Sequence, residues 1–540
     1  MAHDVPSAFC RRLAAGLCAI ALVSCSQTTN PLPLHYDAEA IRTHVSKLEA
    51  AERHGAGVGT AGEAIAKDYV AEVFRANNLK PLVQPASFIQ PISFFRLQTQ
   101  TAEVKITGPR GPIPAERGTD FVAWTRQAKP SVSVKAPIVF AGFGIIAPEF
   151  KWDDFKDVDV RGKVIVVLDD DPHNGERDRF GDLGRNYYGR RTYKFDEAGR
   201  RGAAGVFIIH EEKQTGDRWT TIVDTAAGER LAVDELGEHA PPAALVEGWL
   251  TFEAAAKLFQ LSGHDFKELK DSAEETNFRP VVLNSEASIT VESTITRVKS
   301  ANVAGAVEGQ TVEGQTPEYV VVASRWNRVG VLGAPGEVPT PRLHDDVSGC
   351  AVLLEVARVF GQRPPPRRTL VFLVTTAHPE GLVGLRYFAG HPVVPADKTI
   401  AMIFIDGVDV FSDSRFLRTI GPAFQGLSEI VKVVGSEHGR ILETEHDRDK
   451  LFYYKWSRSA FAEQGIPDIY LTTSVVPPQG QASRDQGHGP SQLHTIGAIR
   501  DADLLFNLVA TVADATNWPA LKRPAHVTTA VTIAALPTKN

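Results

Sequence analysis

Apolar residues follow two kinds of spacing along the chain, and the two kinds alternate. Ile65, Tyr69, Val70 and Val73 recur at helical spacing, which predicts an amphipathic helix over 63–78. Beyond residue 290, apolar runs alternate with segments of helical spacing, which predicts strands at 318–323, 369–375, 399–405 and 468–472 and helices at 348–360, 382–388, 457–464 and 498–515. This alternation predicts an α/β fold with a mostly parallel central sheet flanked by helices.

Residues 130–290 have a different pattern. Short β-rich runs at 136–140, 163–168 and 206–209 are separated by loops that contain Gly, Asp and other charged residues. This pattern predicts a separate, compact β-rich unit within the α/β chain.

The first 36 residues carry signals for export. Two arginines precede the apolar stretch 13–23, which is followed by a small residue, the order typical of a secretory signal peptide. The sequence around Cys25 resembles the lipobox of bacterial lipoproteins, in which the cysteine is acylated, and Ser26 resembles an outer-membrane sorting residue. We therefore expect an exported, periplasm-facing lipoprotein of the outer membrane. A plain signal peptide with an incidental cysteine is the alternative.

The composition excludes a nucleic-acid partner and a metal site built from cysteines. The chain has 540 residues, is 43% hydrophobic and carries a net charge of −7, which is typical of a globular protein with more than one domain. With 58 basic against 65 acidic residues it lacks the basic surface that nucleic-acid binding requires, so no nucleic-acid partner is expected. Removal of the signal peptide leaves only Cys25 and Cys350, so a metal site must use His, Asp and Glu. Cys350 lies in an apolar run, where we expect a buried residue without a catalytic role.

Polar residues follow the predicted strands where a ligand crevice is expected in an open α/β sheet. Asp345, Asp406 and His494 all fall at this rim and have the oxygen and imidazole donors that zinc accepts. Asp345 could instead complement the start of a helix, and His494 could be a loop histidine with satisfied hydrogen bonds. Asp406 directly follows a buried strand, where a carboxylate needs a cation or several hydrogen-bond donors.

Several motifs resemble the two-zinc aminopeptidase family, whose relatives include glutaminyl cyclases and the transferrin receptor ectodomain. The motifs that carry the resemblance in the catalytic part are Ser300-Ala301-Asn302-Val303, Ser348-Gly349, Gly381-Leu382-Val383-Gly384 and Gly465-Ile466-Pro467. Within 130–290 the runs that resemble a protease-associated domain are Phe140-Ala141-Gly142-Phe143-Gly144-Ile145, the run 161–167, Tyr193-Lys194-Phe195 and the run 202–206. The resemblance implies a zinc-exopeptidase-like fold with this inserted domain. The expected organisation is a signal peptide at 1–24, an anchor and tether at 25–36, the aminopeptidase-like domain at 37–129 and 291–520, the protease-associated domain at 130–290 and a tail at 521–540.

The resemblance also implies a zinc site, and this chain departs from it. The family holds two zincs with five ligands, and Asp345, Asp406 and His494 match the bridging Asp, the later Asp and the final His. Arg325 stands at the first His ligand and Pro379 at another ligand position, so each zinc loses one ligand. His378 stands at the position of the general base.

The altered positions leave two arrangements open. The guanidinium of Arg325 stays protonated, so it can pair with Asp345 or Asp406 and fill the site without metal. Alternatively, His344 or His378 joins the three retained residues in a relocated single-metal site.

Two functions therefore remain open. The chain is either an exopeptidase that removes N-terminal residues through a remodelled zinc site, or an inactive pseudopeptidase that binds peptide or protein partners. A serine hydrolase is not supported, because no Gly-x-Ser-x-Gly motif is found. The expected partners are peptides or protein amino ends, and the membrane through the lipid anchor only. The sequence does not indicate the oligomeric state.

Overall fold

Two helices open the folded part of the chain, and polar side chains cap both. Helix α1 (Ala38–Glu52) begins after Asp37, whose carboxylate accepts hydrogen bonds from the backbone N–H groups of Glu39 and Ala40. Helix α2 (Ala61–Ala76) begins after Thr60, whose hydroxyl accepts from the N–H of Glu63. These bonds satisfy donors that a helix leaves unpaired in its first turn, so they fix where each helix begins.

The computed structural model describes residues 35–55, 57–172, 180, 188–212, 218–233, 243–311, 313–314, 316–326, 347–377, 382–408, 415–420, 425–443, 461, 464–473 and 494–516. The further helices are α3 (Arg191–Arg200), α4 (Trp219–Ala227), α5 (Phe252–Leu261), α6 (Phe266–Ala273), α7 (Ser348–Gly361), α8 (Val383–Gly390), α9 (Gln425–Glu437) and α10 (Thr495–Asp514). The strands are β1 (Lys80–Pro81), β2 (Ile89–Gly108), β3 (Gly111–Ile113), β4 (Phe121–Trp124), β5 (Ser131–Phe140), β6 (Ile146–Ala147), β7 (Trp152–Asp153), β8 (Val164–Leu168), β9 (Gly205–His210), β10 (Arg230–Val233), β11 (Val246–Thr251), β12 (Val281–Val307), β13 (Tyr319–Arg325), β14 (Thr369–Thr375), β15 (Thr399–Ile405), β16 (Phe416–Ile420), β17 (Ile441–Glu443) and β18 (Asp468–Thr472). Two short 3-10 helices lie at Pro148–Phe150 and Ala396–Lys398.

The C-terminal half of the chain builds a mostly parallel sheet. Strand β13 pairs in parallel with β14 on one side and β15 on the other, and β15 pairs in parallel with β18. Strand β12 joins β14 antiparallel, and β16 joins β18 antiparallel. Helix α8 packs on one face, where Leu385 and Phe388 share a buried cluster with Val321 and Phe404. Helices α7 and α10 contact β13 and each other. The predicted α/β class is confirmed.

A second part of the sheet is built from residues within 102–291. Strands β5, β8, β9 and β11 are parallel in that order, and β4 closes this end antiparallel to β11. Its apolar residues form their own buried clusters, which include Ala102, Ile106 and Phe121. The packing of this part therefore begins before residue 130. Its identity as a protease-associated domain stays a prediction.

Two long strands connect the two parts of the sheet. Strand β2 pairs antiparallel with β12 from Ile89↔Val303 to Thr107↔Glu286, with an irregularity between Glu292 and Ser293. One end of β12 pairs with β14 and the other end pairs with β5. The pair β2 and β12, called here the long ribbon, therefore belongs to both parts of the sheet.

Two oppositely charged side chains are buried under the turn after β5. The carboxylate of Asp154 accepts from the backbone N–H groups of Phe143 (3.1 Å) and Ile145 (3.0 Å). The ammonium of Lys194 donates to the carbonyl oxygen of Phe143 (2.6 Å). Burial is the main cause that raises the pKa of Asp154 to about 7 and lowers the pKa of Lys194 to about 8. Asp154 thus binds backbone N–H groups of the turn and Lys194 binds one of its carbonyl groups.

Several predicted elements are confirmed within a few residues. The strands at 369–375, 399–405 and 468–472 have the predicted bounds, and helix α2 begins and ends two residues before the prediction. In the part of the chain that the structure describes, no helix combines the length and apolar character needed to cross a bilayer. The predicted signal peptide and Cys25 lie outside the described residues, as does most of the helix predicted at 457–464.

Candidate functional site

The carboxyl ends of β13, β14, β15 and β18 lie at one edge of the parallel sheet, called here the C-terminal edge. Backbone and hydroxyl bonds tie these ends together: Ser324 Oγ donates to the carbonyl of Ile405 (2.8 Å), and Thr375 Oγ1 donates to the carbonyl of Ser324 (3.2 Å). The N–H of Asp406 donates to the carbonyl of Leu471 (3.0 Å). The side chains that follow these strands are therefore carried by a rigid frame.

Arg325, which is buried, and Asp406, which is partly buried, form an ion pair at this edge. Arg325 is the last residue of β13, and Asp406 directly follows the neighbouring strand β15. The Nε and Nη2 atoms of Arg325 both donate to Oδ1 of Asp406, at 2.9 and 2.5 Å. The Arg325 side chain is 4% exposed and that of Asp406 is 16% exposed. Asp406 is thus a partner of Arg325, while Asp345, the other carboxylate considered, lies outside the described residues.

Helix α7 begins beside Asp406. A Cβ atom on Gly349 would lie 2.0 Å from the carbonyl oxygen of Asp406, so only glycine fits this close approach. The hydroxyl of Ser348 accepts from the N–H of Val408 (3.0 Å). The N-cap position of α7 is Val347, which provides no side-chain cap. The positive end of the helix therefore lies near Asp406.

His494 is the N-cap of helix α10. Its Nδ1 accepts from the backbone N–H of Gly497 at 3.1 Å, and its carbonyl accepts from the N–H of Ala498. An Nδ1 that accepts a hydrogen bond carries no proton, so in the neutral ring the proton lies on Nε2. His494 therefore caps the start of α10 through Nδ1.

The other predicted site residues lie outside the described residues. These are His344, Asp345, His378 and Pro379. Among the residues that the structure describes, no group of three or more His, Cys, Asp or Glu side chains is arranged to hold a metal ion. The role of each of these residues stays a prediction.

The described donors at the C-terminal edge do not fit zinc. Oδ1 of Asp406 already accepts two N–H groups, which take up both of its lone pairs, so this oxygen is not available to a metal ion. A zinc-bound histidine coordinates through one unprotonated nitrogen and usually donates a hydrogen bond from the other, whereas Nδ1 of His494 accepts one. No chemical step through zinc is therefore derived for this site.

Glu63 is a buried carboxylate near the site that the sequence analysis did not select. Its Oε1 accepts from the hydroxyls of Ser300 and Thr376, and its Oε2 accepts from the N–H of Gly59 at 2.6 Å. Thr376 follows β14, so Glu63 ties the start of α2 to the C-terminal edge. The spacing Thr60-x-x-Glu63 is the signature of a capping box, which indicates the helix start but not the contact with Thr376.

Asn302 is a second buried residue near the site that was not predicted as a site residue, although it belongs to the motif Ser300-Ala301-Asn302-Val303. It is fully buried, and its Nδ2 donates to Gln90 Oε1 (2.9 Å) and to the carbonyl of Gly384 (2.8 Å). Its Oδ1 accepts from the N–H of Thr376 (3.2 Å). Asn302 therefore fixes the end of β14 against the start of α8.

Cys350 is the free cysteine in the described part of the chain, and it is fully buried in α7. Burial raises the pKa of its thiol well above the usual range, so it stays protonated at neutral pH. The prediction that Cys350 is a buried residue is confirmed.

Comparison with known proteins identifies the part of the chain that carries this edge. Residues 302–497 match the family model described as Peptidase family M28. Among solved structures, the chain is similar to an aminopeptidase from Aneurinibacillus sp. strain AM-1, with 18% identity, 88% of this chain and 94% of that chain covered, and a TM-score of 0.49. It is also similar to BSAP, a zinc aminopeptidase from Bacillus subtilis, with 17% identity, 91% and 98% covered, and a TM-score of 0.43. A peptidase M28 precursor from Shewanella amazonensis SB2B matches with 14% identity, 89% and 95% covered, and a TM-score of 0.38. The stretch that matches the family model, called here the M28 domain, includes Arg325, Asp406 and His494.

Proposed function

We propose that this chain is an aminopeptidase-like protein that binds the amino ends of peptides at the C-terminal edge without cleaving them. The M28 domain supports an exopeptidase-like function, and this edge is where an α/β sheet holds its ligand. The observation that carries the proposal is the Arg325–Asp406 ion pair, which takes up a carboxylate that a metallopeptidase would use for its metal. Binding of peptides can persist without that metal, whereas activation of water cannot.

Asp406 supplies the chemistry for an amino end. No described residue donates a hydrogen bond to its Oδ2, and its side chain keeps some exposure to solvent. A carboxylate oxygen in a partly buried site is a strong acceptor for an ammonium group. We therefore assign Asp406 Oδ2 as the acceptor for the α-ammonium group of the peptide.

The location is part of the same proposal. The signal peptide and lipobox around Cys25 support a lipoprotein that faces the periplasm, where peptides from protein turnover are available as ligands. The β-rich part at 130–290, with its resemblance to a protease-associated domain, is proposed to belong to the same peptide-binding protein.

The test compares peptides that differ only at the amino end. The full chain is purified in detergent, and binding of fluorescent peptides with free or acetylated amino ends is measured by anisotropy. We expect acetylation to weaken binding by about tenfold or more, since it removes a charge-assisted hydrogen bond. Asp406→Asn should give the same loss with free peptides. Glu318→Gln is the matched control, because Glu318 pairs with Arg368 at the opposite edge of the sheet.

Two results would contradict the proposal. Equal binding of free and acetylated peptides would show that amino ends are not recognised. Release of N-terminal residues from the same peptides, followed by mass spectrometry, would show that the protein is an active aminopeptidase, and zinc dependence of that release would indicate the relocated metal site.

A further inference from the structure

We infer that the guanidinium of Arg325 takes the place of a metal ion at the C-terminal edge, so that the M28 domain of this chain folds and keeps its site without zinc. The inference rests on the proposed function in one respect, since it treats this edge as the binding site. Its test measures metal, not peptide, so the two can fail separately.

The first argument is the charge balance at Asp406. The carboxylate is only 16% exposed, and a buried carboxylate needs a nearby positive charge or several donors. Arg325 meets this need with two N–H groups on Oδ1, and arginine remains protonated at any working pH. The start of α7 beside Asp406 adds a second source of positive potential. The carboxylate is therefore balanced by groups of the chain itself.

The second argument is geometric. Arg325 is held at the end of β13, and β13 and β15 are neighbouring parallel strands with Ala323 opposite Phe404. The register therefore brings the side chain of Arg325 beside the residue after β15, with no adjustable loop between them. The guanidinium contacts Oδ1 of Asp406 through Nε and Nη2, so its charge lies where a metal bound by that oxygen would have to lie.

The third argument comes from His494. Its Nδ1 caps α10 by accepting from Gly497, which fixes the proton of the neutral ring on Nε2. Coordination through Nδ1 would break the cap, and coordination through Nε2 would require the proton to leave or to move to Nδ1. Two of the three retained ligand positions are thus occupied by interactions that do not need a metal.

The experiment measures zinc in the full chain. Wild-type protein is purified without chelators, incubated with excess zinc, dialysed and examined by elemental analysis. Wild-type protein should retain no zinc above the dialysis buffer, and its melting temperature should be the same with zinc and with EDTA. Arg325→His removes the guanidinium and restores an imidazole at the position of the first family ligand. This variant should retain zinc at least about tenfold better than wild type.

A matched control tests whether zinc binding depends on the position of the new histidine or on the replacement of a buried arginine by histidine alone. Arg368→His makes the same change in another buried arginine, which directly precedes β14 and pairs with Glu318, directly before β13, at the opposite edge of the sheet. This control should retain no more zinc than wild type.

Three outcomes would overturn the inference. They are stoichiometric zinc in wild-type protein, a wild-type melting temperature that rises with zinc and falls with EDTA, or Arg325→His protein that is folded yet binds zinc no better than wild type. If Arg325→His does not fold, the wild-type measurements alone decide, because they require no variant.

Discussion

The Arg325–Asp406 ion pair predicts a specific pattern of stability in a double-mutant cycle. Replacing Arg325 with Leu leaves the Asp406 carboxylate without its guanidinium in a site that is 16% exposed. Removal of one partner of a buried pair lowers the free energy of unfolding by about 3–5 kcal/mol. Because water has partial access to Asp406, we expect a loss of about 3 kcal/mol. Asp406→Leu leaves the buried guanidinium without this partner and should also destabilise the fold.

The double variant should recover much of this loss. Two leucines leave no uncompensated charge in this pair, so the coupling energy between the two positions should be about 2–3 kcal/mol. The assay is urea unfolding of all four proteins at pH 7, followed by far-UV circular dichroism and tryptophan fluorescence. The pair Arg368 and Glu318 is the comparison, because Glu318 is 46% exposed and should couple by less than about 1 kcal/mol.

The reasoning fails if Arg325→Leu and Asp406→Leu lose stability additively. Additive losses show that the two groups do not stabilise each other, whatever the distance between them. An unchanged unfolding midpoint for Arg325→Leu would have the same meaning, since the guanidinium could then be lost without cost.

Three further predictions concern other contacts. Gly349→Ala should destabilise the protein by about 3 kcal/mol or more, because its Cβ would lie 2.0 Å from the backbone oxygen of Asp406. The loss is measured as a lower urea midpoint, and a midpoint equal to that of wild type would show that α7 can move away. Glu63→Gln should cost about 1–3 kcal/mol, because the amide replaces one acceptor oxygen by an NH2 group, which then faces at least one of the donors that now bind Glu63. A thermal melt equal to that of wild type would contradict this. Burial raises the pKa of Asp154 from 3.8 to about 7. The contribution of Asp154 to the free energy of unfolding is therefore full below pH 3.8 and is lost as the pH rises through about 7. Urea midpoints measured across this range should show that decline in wild type and not in Asp154→Asn.

Apolar patterning predicted the parallel strands well because they are buried on both faces. The runs at 369–375 and 399–405 contain almost only apolar residues, so their ends coincide with the change to polar sequence. The long strands β2 and β12 were not predicted, although Ala102, Val104 and Ile106 alternate with polar residues in β2. Each of these strands is stabilised by a partner far away in the sequence, which local spacing does not identify.

The sequence predicted that Arg325 and Asp406 lie at one rim, but it did not predict that they pair. Their contact depends on strand order, since β13 lies between β14 and β15. Strand order is not encoded in the apolar pattern of any single strand. The contact of Glu63 with Thr376 depends on the same kind of long-range information.

The long ribbon has a consequence for the order of folding. Its strands pair Ile89 with Val303 and Thr107 with Glu286, so the whole β-rich part of the chain lies in the loop that this pairing closes. Closing so long a loop costs conformational entropy before any contact of the ribbon compensates for it. The clusters within 102–291 bury apolar residues of their own, so a collapse of this part alone would bring Thr107 and Glu286 together and shorten the loop. We therefore expect the β-rich part, which contains neither Arg325 nor Asp406, to fold before the sheet that carries these two residues is complete.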